Sequence, residues 1–262
     1  MKPSCVILAF FLLLVASKNA SSIEVTEFVN FNFESFTNGN PLIELQGNAT
    51  IQANGSVLLT DPTSHAGVGR VMYAPSFRLW DTVSGNVASF VTSFSFQTTN
   101  YQDFVPADGI IFFIGPYDTQ IPGGGVGGSL GVADSTGQGE FFGVEFDNYV
   151  NGEFKDPPYS HVGIDDNSVF SKKTVEWKRM SGAVVNVTVI YDSSSKILSV
   201  ALRNNVDIIT ISQVVDLSQK VMPRVKIGFS AASSVGGRQL HLIRSWSFSS
   251  SLTYETSYVG TA

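Results

Sequence analysis

The chain reads as an all-β protein, an antiparallel sandwich of two sheets. Three observations predict this. From Glu27 onward, apolar and polar residues alternate with period two almost throughout, the spacing of half-buried strands. Turn signals such as Asn38-Gly39, Asn54-Gly55, Ser84-Gly85 and Gly236-Gly237 separate the alternating runs. No stretch carries a convincing amphipathic helix, so nothing supplies the helical crossovers of a parallel sheet.

Taken in order, Val29, Phe31 and Phe33 alternate with Asn30, Asn32 and Glu34. Phe90, Phe94 and Phe96 share one strand face, with Ser89, Ser93 and Ser95 on the other. Pro106-Ala107-Asp108-Gly109 reads as a tight turn before the apolar run Ile110–Ile114. Val185, Val187, Val189 and Tyr191 mark a further half-buried strand, which turns at Asp192–Lys196 into a strand over Ile197–Leu202. Asp216–Met222 holds one or two helical turns at most. Val225, Ile227 and Phe229 continue the pattern, and Leu242, Trp246 and Phe248 close it. No internal repeat or linker interrupts the series, so residues 23–253 form one domain, an ordinary size for a β-sandwich.

The ends differ from the middle. Lys2, the unbroken apolar run Val6–Val15 and the small residues Ala16, Ala20, Ser21 and Ser22 have the layout of a signal peptide over residues 1–22. The run is short for a membrane span, and no other stretch approaches that length, so no membrane insertion is expected. A secretory-pathway protein follows, secreted or vacuolar. Residues 254–262 read as a flexible or processed tail. The sole cysteine, Cys5, falls in the signal, so the mature chain must be stable without disulfides. Losing Lys2 and Lys18 takes the formal net charge from −6 to −8, which argues against nucleic acid as a partner. Asn48, Asn54 and Asn186 each open an Asn-x-Ser/Thr sequon and are candidate N-glycosylation sites.

The stretch from Gly139 to Ser168 concentrates the chemistry. Glu145 and Asp147 lie two residues apart in an apolar run, so a strand presents both carboxylates on one face. The polar loop that follows supplies Asn151 and Asp156 before His161. A hard cation such as Ca²⁺ takes carboxylate, amide and carbonyl oxygens. A first-row ion such as Mn²⁺ also accepts an imidazole. Two adjacent ions sharing Asp147 and Asp156 would use every group and offset the repulsion among the carboxylates. The plainer reading is that Asp in an Asn/Gly-rich loop forms turns, and spacing alone leaves the two side by side.

Read whole, Glu145, Asp147, Asn151, Asp156-Pro157 and His161-Val-Gly-Ile-Asp165 resemble the metal-binding signature of the legume lectins. The resemblance implies the jelly-roll sandwich of that family. It implies a transition ion on Glu145, Asp147, Asp156 and His161, and calcium on Asp147, Asn151, Asp156 and the backbone carbonyl of Tyr149. Asn148 and Asp166 depart from the family pattern, at positions that are not ligands.

The same resemblance implies a sugar site. The residue matching Asp108 accepts hydrogen bonds from two sugar hydroxyls, and the peptide matching Ala107–Asp108 is cis. Asn151 would serve calcium with its oxygen and the sugar with its amide, and Tyr149 would lay its ring on the pyranose. The loop Gly123–Gly128 lacks the Gly-Lys-Ser/Thr ending of a phosphate loop. Gly127 or Gly128 would instead offer a backbone N–H to the sugar, as Gly236 would beside the Ser234 hydroxyl. The stretches PADGIIFFI, DTQIP, SGAVV and VTVIYDSS are similar to a galactose-binding member of the family, except that the glycine loop is one residue shorter. The expected ligands are therefore galactose and β-galactosides on glycans or glycoproteins, bound by a homodimer or homotetramer. Alternatives are mannose or glucose binding on the same fold, or a storage or defence protein with weak or lost sugar binding.

An enzyme is the remaining rival. A retaining glycoside hydrolase needs two carboxylates about 5–5.5 Å apart as nucleophile and acid/base. The second Glu expected two or three residues after Asp147 is missing, since Tyr149 and Val150 stand there. Ligation by cations also lowers carboxyl pKa values, the wrong direction for a general acid. No catalytic residue is assigned.

Overall fold

The computed structural model describes residues 22–257, with residues 65 and 205–206 excepted. The expected signal before Ser22, including Cys5, and tail residues 258–262 lie outside the described residues. The strands are β1 (Ser22–Phe33), β2 (Ile43–Gly47), β3 (Thr50–Ile51), β4 (Val57–Leu58), β5 (Val68–Tyr73), β6 (Phe77–Arg78), β7 (Ser89–Asn100) and β8 (Gly109–Pro116). They continue with β9 (Gln138–Asp147), β10 (His161–Ser168), β11 (Lys173–Glu176), β12 (Val184–Asp192), β13 (Ile197–Arg203), β14 (Ile208–Val214), β15 (Arg224–Ala232) and β16 (Gln239–Ser257). One sheet runs β14-β13-β12-β7-β16-β4-β3, with β1 also paired to β16. The other runs β11-β10-β9-β8-β15-β5-β2, with β6 also paired to β15. These strand pairs are antiparallel.

The alternating residues supply the core between the sheets. Phe94 on β7 meets Phe229 on β15 edge-on with ring centroids 4.7 Å apart, and Phe96 meets Phe146 on β9 at 4.9 Å. Such contacts add directional preference to the burial of large apolar surfaces. The unbroken apolar run of β8 has its own cause. Ile110, Phe112 and Ile114 face the sandwich core, while Ile111 and Phe113 face a second cluster with Leu130, Val132 and Phe141. A strand covered on both faces has no reason to alternate.

Two sequence expectations need correction at β16. The register shifts between Ile243 and Ser245, a bulge at Arg244. Before it, His241 and Ile243 point inward; after it, Trp246, Phe248 and Leu252 do. Ile243, not the half-buried Leu242, therefore belongs to the core, because one inserted residue reverses the parity of the strand. The strand also runs past residue 253. Val25 pairs with Tyr254, whose hydroxyl donates to Glu27 Oε1 at 2.7 Å, so residues 254–257 extend the sheet along β1. At Asp216, the side chain caps a single 3₁₀ turn, Leu217–Gln219, in line with the short helical segment expected there.

Register aligns the functional residues. Ala232 pairs with Gly109, Gly109 with Asp147, and Asp147 with His161, so one row crosses β15, β8, β9 and β10 at the rim of a sheet.

Candidate functional site

Glu145, Asp147 and His161 are buried together, with one potential ligand atom from each within 4.8 Å of the others. His161 Nε2 lies 2.9 Å from Glu145 Oε1. The face alternation of β9 and β10 accounts for the meeting, and Gly163 makes room for it. A β-carbon on Gly163 would stand 2.4 Å from Glu145 Oε1 and 2.0 Å from Ser171 Oγ. Ser171 Oγ in turn lies 2.5 Å from Glu145 Oε1 and 2.7 Å from Asp165 Oδ1. A hydroxyl has one proton to give, so it cannot satisfy two buried carboxylates.

The electrostatics tell the same story. Burial, then the charges of Glu145 and Asp156, push the Asp147 carboxyl well above its ordinary range. Burial and Glu145 do the same to Asp165. Asp156 is raised to about 6, by burial first, although the Asn151 N–H donating to its Oδ2 at 2.6 Å pulls the other way. At His161, burial opposes protonation, but the hydrogen bond and charge of Glu145 outweigh it and the pKa rises. Acids crowded this closely fit a divalent cation, which supplies the missing positive charge.

The loop after β9 folds back on these acids. Tyr149 N–H donates to Asp147 Oδ1 at 2.7 Å. Asn148 N–H donates to the backbone carbonyl of Asp108 at 3.0 Å, which fastens this loop to the next one. The Ala107–Asp108 peptide is cis, as expected. Asp108 is fully buried at the rim, and neither carboxylate oxygen has a hydrogen-bond partner among the described residues. Burial raises its pKa to about 7, against the pull of Ser234 and Asn151 nearby. A buried acceptor left this way costs free energy unless a ligand reaches it.

Two glycines close the site. A β-carbon on Gly127 would stand 3.8 Å from Ser234 Cβ and 4.0 Å from both Asp108 oxygens. One on Gly128 would stand 2.5 Å from Asn151 Oδ1, so any larger residue there must push the Asn151 amide aside. The Gly127 N–H is already donated to the Ser233 carbonyl at 3.3 Å. Ser234 N–H donates to the Gly237 carbonyl at 3.1 Å, a turn that holds Ser234 forward and leaves Gly236 open at its tip.

Residues 28–259 match the legume lectin domain family. A galactose-binding lectin of Arachis hypogaea is 59% identical over 258 residues, covering 98% of this chain and 94% of the relative. The chain is a legume lectin. A solved peanut lectin carrying a nine-residue peptide superposes with a TM-score of 0.85 at 58% identity, covering 88% of this chain and all (100%) of that one. A mannose/glucose-specific lectin of Centrolobium tomentosum is 38% identical over 242 residues, covering 87% of this chain and 98% of the relative. The domain is a non-catalytic carbohydrate-binding fold, and this lectin is accordingly not an enzyme.

Sequence reading assigned no role to three residues of the candidate site. Asp165 shares the strand face of His161 by period two, a signal that was available. Ser171 arrives from a turn and has no local signature. Arg70, almost fully buried (1% exposed), donates through Nε to the Gly131 carbonyl at 2.9 Å, with Nη2 on the same oxygen, and through Nη1 to Thr119 Oγ1 at 3.1 Å. It thereby ties together the two ends of the glycine loop. Of the family departures, Asp166 forms an ion pair with Lys220 at 2.6 Å. The Asn148 amide nitrogen and oxygen are buried, with no hydrogen-bond partner among the described residues.

Proposed function

We propose that this lectin binds galactose and β-galactosides in a calcium- and manganese-dependent manner. The observation that carries the reading is the buried Asp108 carboxylate, whose two oxygens have no hydrogen-bond partner within bonding distance among the described residues and which lies beside Gly127, Ser234 and Asn151. It can accept two sugar hydroxyls, Asn151 can donate to a third group, and Tyr149 offers a ring to the apolar face of a pyranose. With the Gly127 N–H donated elsewhere, Gly128 is the glycine we assign as backbone donor, together with Gly236. The galactose-binding name of the relative at 59% identity supports galactose over the mannose/glucose specificity named for the relative at 38%.

Glu145, Asp147, Asp156 and His161 would hold the manganese. Asp147, Asn151, Asp156 and the Tyr149 carbonyl would hold the calcium. The ions supply positive charge, and the chain's own N–H groups keep the loop wrapped around the shared carboxylates. Assembly as a homodimer or homotetramer fits weak single sites that gain strength by linkage. The exposed Phe28, Val91 and Ile190 on the outer face of the β1–β16–β7–β12 surface suit self-association. Passage through the secretory pathway and N-glycosylation at Asn48, Asn54 or Asn186 complete the proposal. All three asparagines are exposed. The test is titration calorimetry with galactose and mannose, before and after chelation, with elemental analysis of the purified protein. Mannose binding without galactose binding rejects the sugar assignment, and undiminished binding in a metal-free protein rejects the cations.

A further inference from the structure

Asn151, assigned above to both calcium and sugar, is followed by Gly152, and that pairing has a chemistry of its own. The backbone nitrogen of the next residue attacks an asparagine amide most readily when that residue is glycine, because no β-carbon shields the nitrogen. The chain has three such steps, Asn38-Gly39, Asn54-Gly55 and Asn151-Gly152. At Asn54 the side-chain oxygen is held by Ser56 N–H at 3.0 Å and by Ser56 Oγ at 2.7 Å. At Asn151 the side-chain oxygen is buried with no hydrogen-bond partner among the described residues, and nothing within 4 Å would crowd a β-carbon on Gly152. What guards this amide is the backbone. Ring closure needs the Gly152 nitrogen on the same side of the Cα–C bond as the Asn151 side chain, which requires a negative ψ, and ψ is 95° here. A single 3₁₀ turn, Gly152–Phe154, keeps that angle, with Phe154 N–H on the Asn151 carbonyl at 3.0 Å. Asp156 Oδ2 adds its hold on the Asn151 N–H at 2.6 Å. So short a turn opens at little cost. We propose that Asn151 is a deamidation site, that calcium on its side-chain oxygen holds the loop shut against the reaction, and that the metal-free lectin loses its sugar site with age. The loss of sugar binding rests on the galactose reading above, whereas the covalent change does not.

In the reaction the Gly152 nitrogen bonds to Asn151 Cγ, the Cγ–Nδ2 bond breaks, and ammonia leaves with the proton from the Gly152 nitrogen. Water then opens the cyclic imide at either carbonyl, giving aspartate or isoaspartate. Either product puts a carboxylate beside Asp108 and Asp156 in place of the amide donor, and isoaspartate also lengthens the backbone by one carbon. To test this, native lectin is stripped with chelator, incubated at mildly alkaline pH with and without calcium, digested and mapped by mass spectrometry. Asn38, exposed and outside the candidate site, is the internal reference. With free calcium at about ten times its dissociation constant, conversion at Asn151 should slow about tenfold, while Asn38 converts equally in both samples. Galactose binding, measured after calcium and manganese are restored, should fall in step with conversion at Asn151. The Gly152→Ala variant should bind galactose like the fresh native protein and keep that binding through metal-free incubation. Calcium that binds by calorimetry yet leaves the Asn151 rate unchanged overturns the lock. A metal-free sample in which Asn38 converts and Asn151 does not overturns the site. Converted protein that still binds galactose overturns the loss of function. Fresh native protein that does not bind galactose rejects the galactose reading, and the mass map then decides the modification alone.

Discussion

The Arg70 guanidinium and the Gly131 carbonyl are joined by Nε at 2.9 Å and by Nη2, inside the protein. Burial lowers the Arg70 pKa to about 10, so the group keeps its charge at neutral pH. With Nη1 on Thr119 and the Phe113 ring 4.9 Å from its carbon, this side chain anchors the loop from Thr119 to Gly131. Arg70→Met should cost roughly 3 kcal/mol of stability, because it leaves buried acceptors unpaired. Amide exchange should rise within residues 119–131, and galactose affinity should fall. A rise spread evenly over the whole sheet would show that Arg70 serves the core and not this loop.

Gly128 and Asn151 make a sharper case. Because a β-carbon on Gly128 would fall 2.5 Å from Asn151 Oδ1, Gly128→Ala must displace the amide assigned to both calcium and sugar. We expect calcium and galactose affinities to drop together by at least tenfold. The melting temperature of the metal-free protein should move by only a degree or two, since neither residue lies in a strand of either sheet. Loss of sugar binding with calcium affinity intact would separate the two roles of Asn151.

These predictions rest on features of unequal visibility in the sequence. The β12 alternation of Val185, Val187 and Val189 was plain because one face meets the core and the other meets water. Glu145 and Asp147 were equally plain, since charge inside an apolar strand needs a partner. The β16 bulge was not, because a single inserted residue leaves no mark on composition. Ser171 and Arg70 act across loops that only the folded chain brings close. The pairing of β4 with β16 likewise depends on closing a long loop, which no local pattern records.

His241 is a buried base with a pH signature. Thr60 Oγ1 lies 2.8 Å from its Nδ1 and Gln239 Nε2 lies 2.9 Å from its Nε2. Burial first, then the charge of Arg179, lowers its pKa to about 3. Unfolding restores a pKa near 6.5, so between these values the unfolded chain binds the extra proton and stability falls as pH falls. At about pH 4.5 the loss should be roughly 3 kcal/mol. Urea unfolding in chelator at several pH values should show a shallower dependence for His241→Gln, even if that variant is less stable at pH 7. Parallel curves would assign the acid sensitivity elsewhere.

Asp147→Asn should act in opposite directions with and without cations. The native carboxylate is raised by burial and by Glu145 and Asp156, so ionising it opposes folding when no cation is bound. Asparagine keeps an oxygen for the Tyr149 N–H. We expect the metal-free variant to be more stable at pH 7 than the metal-free native protein. Calcium and manganese should then fail to stabilise it further, and sugar binding should be lost. Thermal melts with chelator and with added ions test both halves. A metal-free variant weaker than the native protein would mean that the carboxylate is already compensated.

Ser234 is where a sugar preference can be read. Its N–H closes the turn to Gly237, so Ser234→Ala keeps the loop's shape and removes only the hydroxyl. Asp108 is different in kind, because its buried carboxylate is the acceptor we assign to any hexose at this site. Asp108→Ala should therefore abolish binding of galactose and mannose alike. Ser234→Ala should weaken galactose about fivefold to tenfold, the value of roughly one hydrogen bond of ~1 kcal/mol. Residual mannose affinity should stay where it was, because Ser234 is assigned to galactose hydroxyls alone. Calorimetry with both sugars on both variants separates an acceptor that binds from a donor that selects. If Ser234→Ala weakens the two sugars equally, the hydroxyl contributes affinity and the selectivity must come from the shape of the shortened glycine loop.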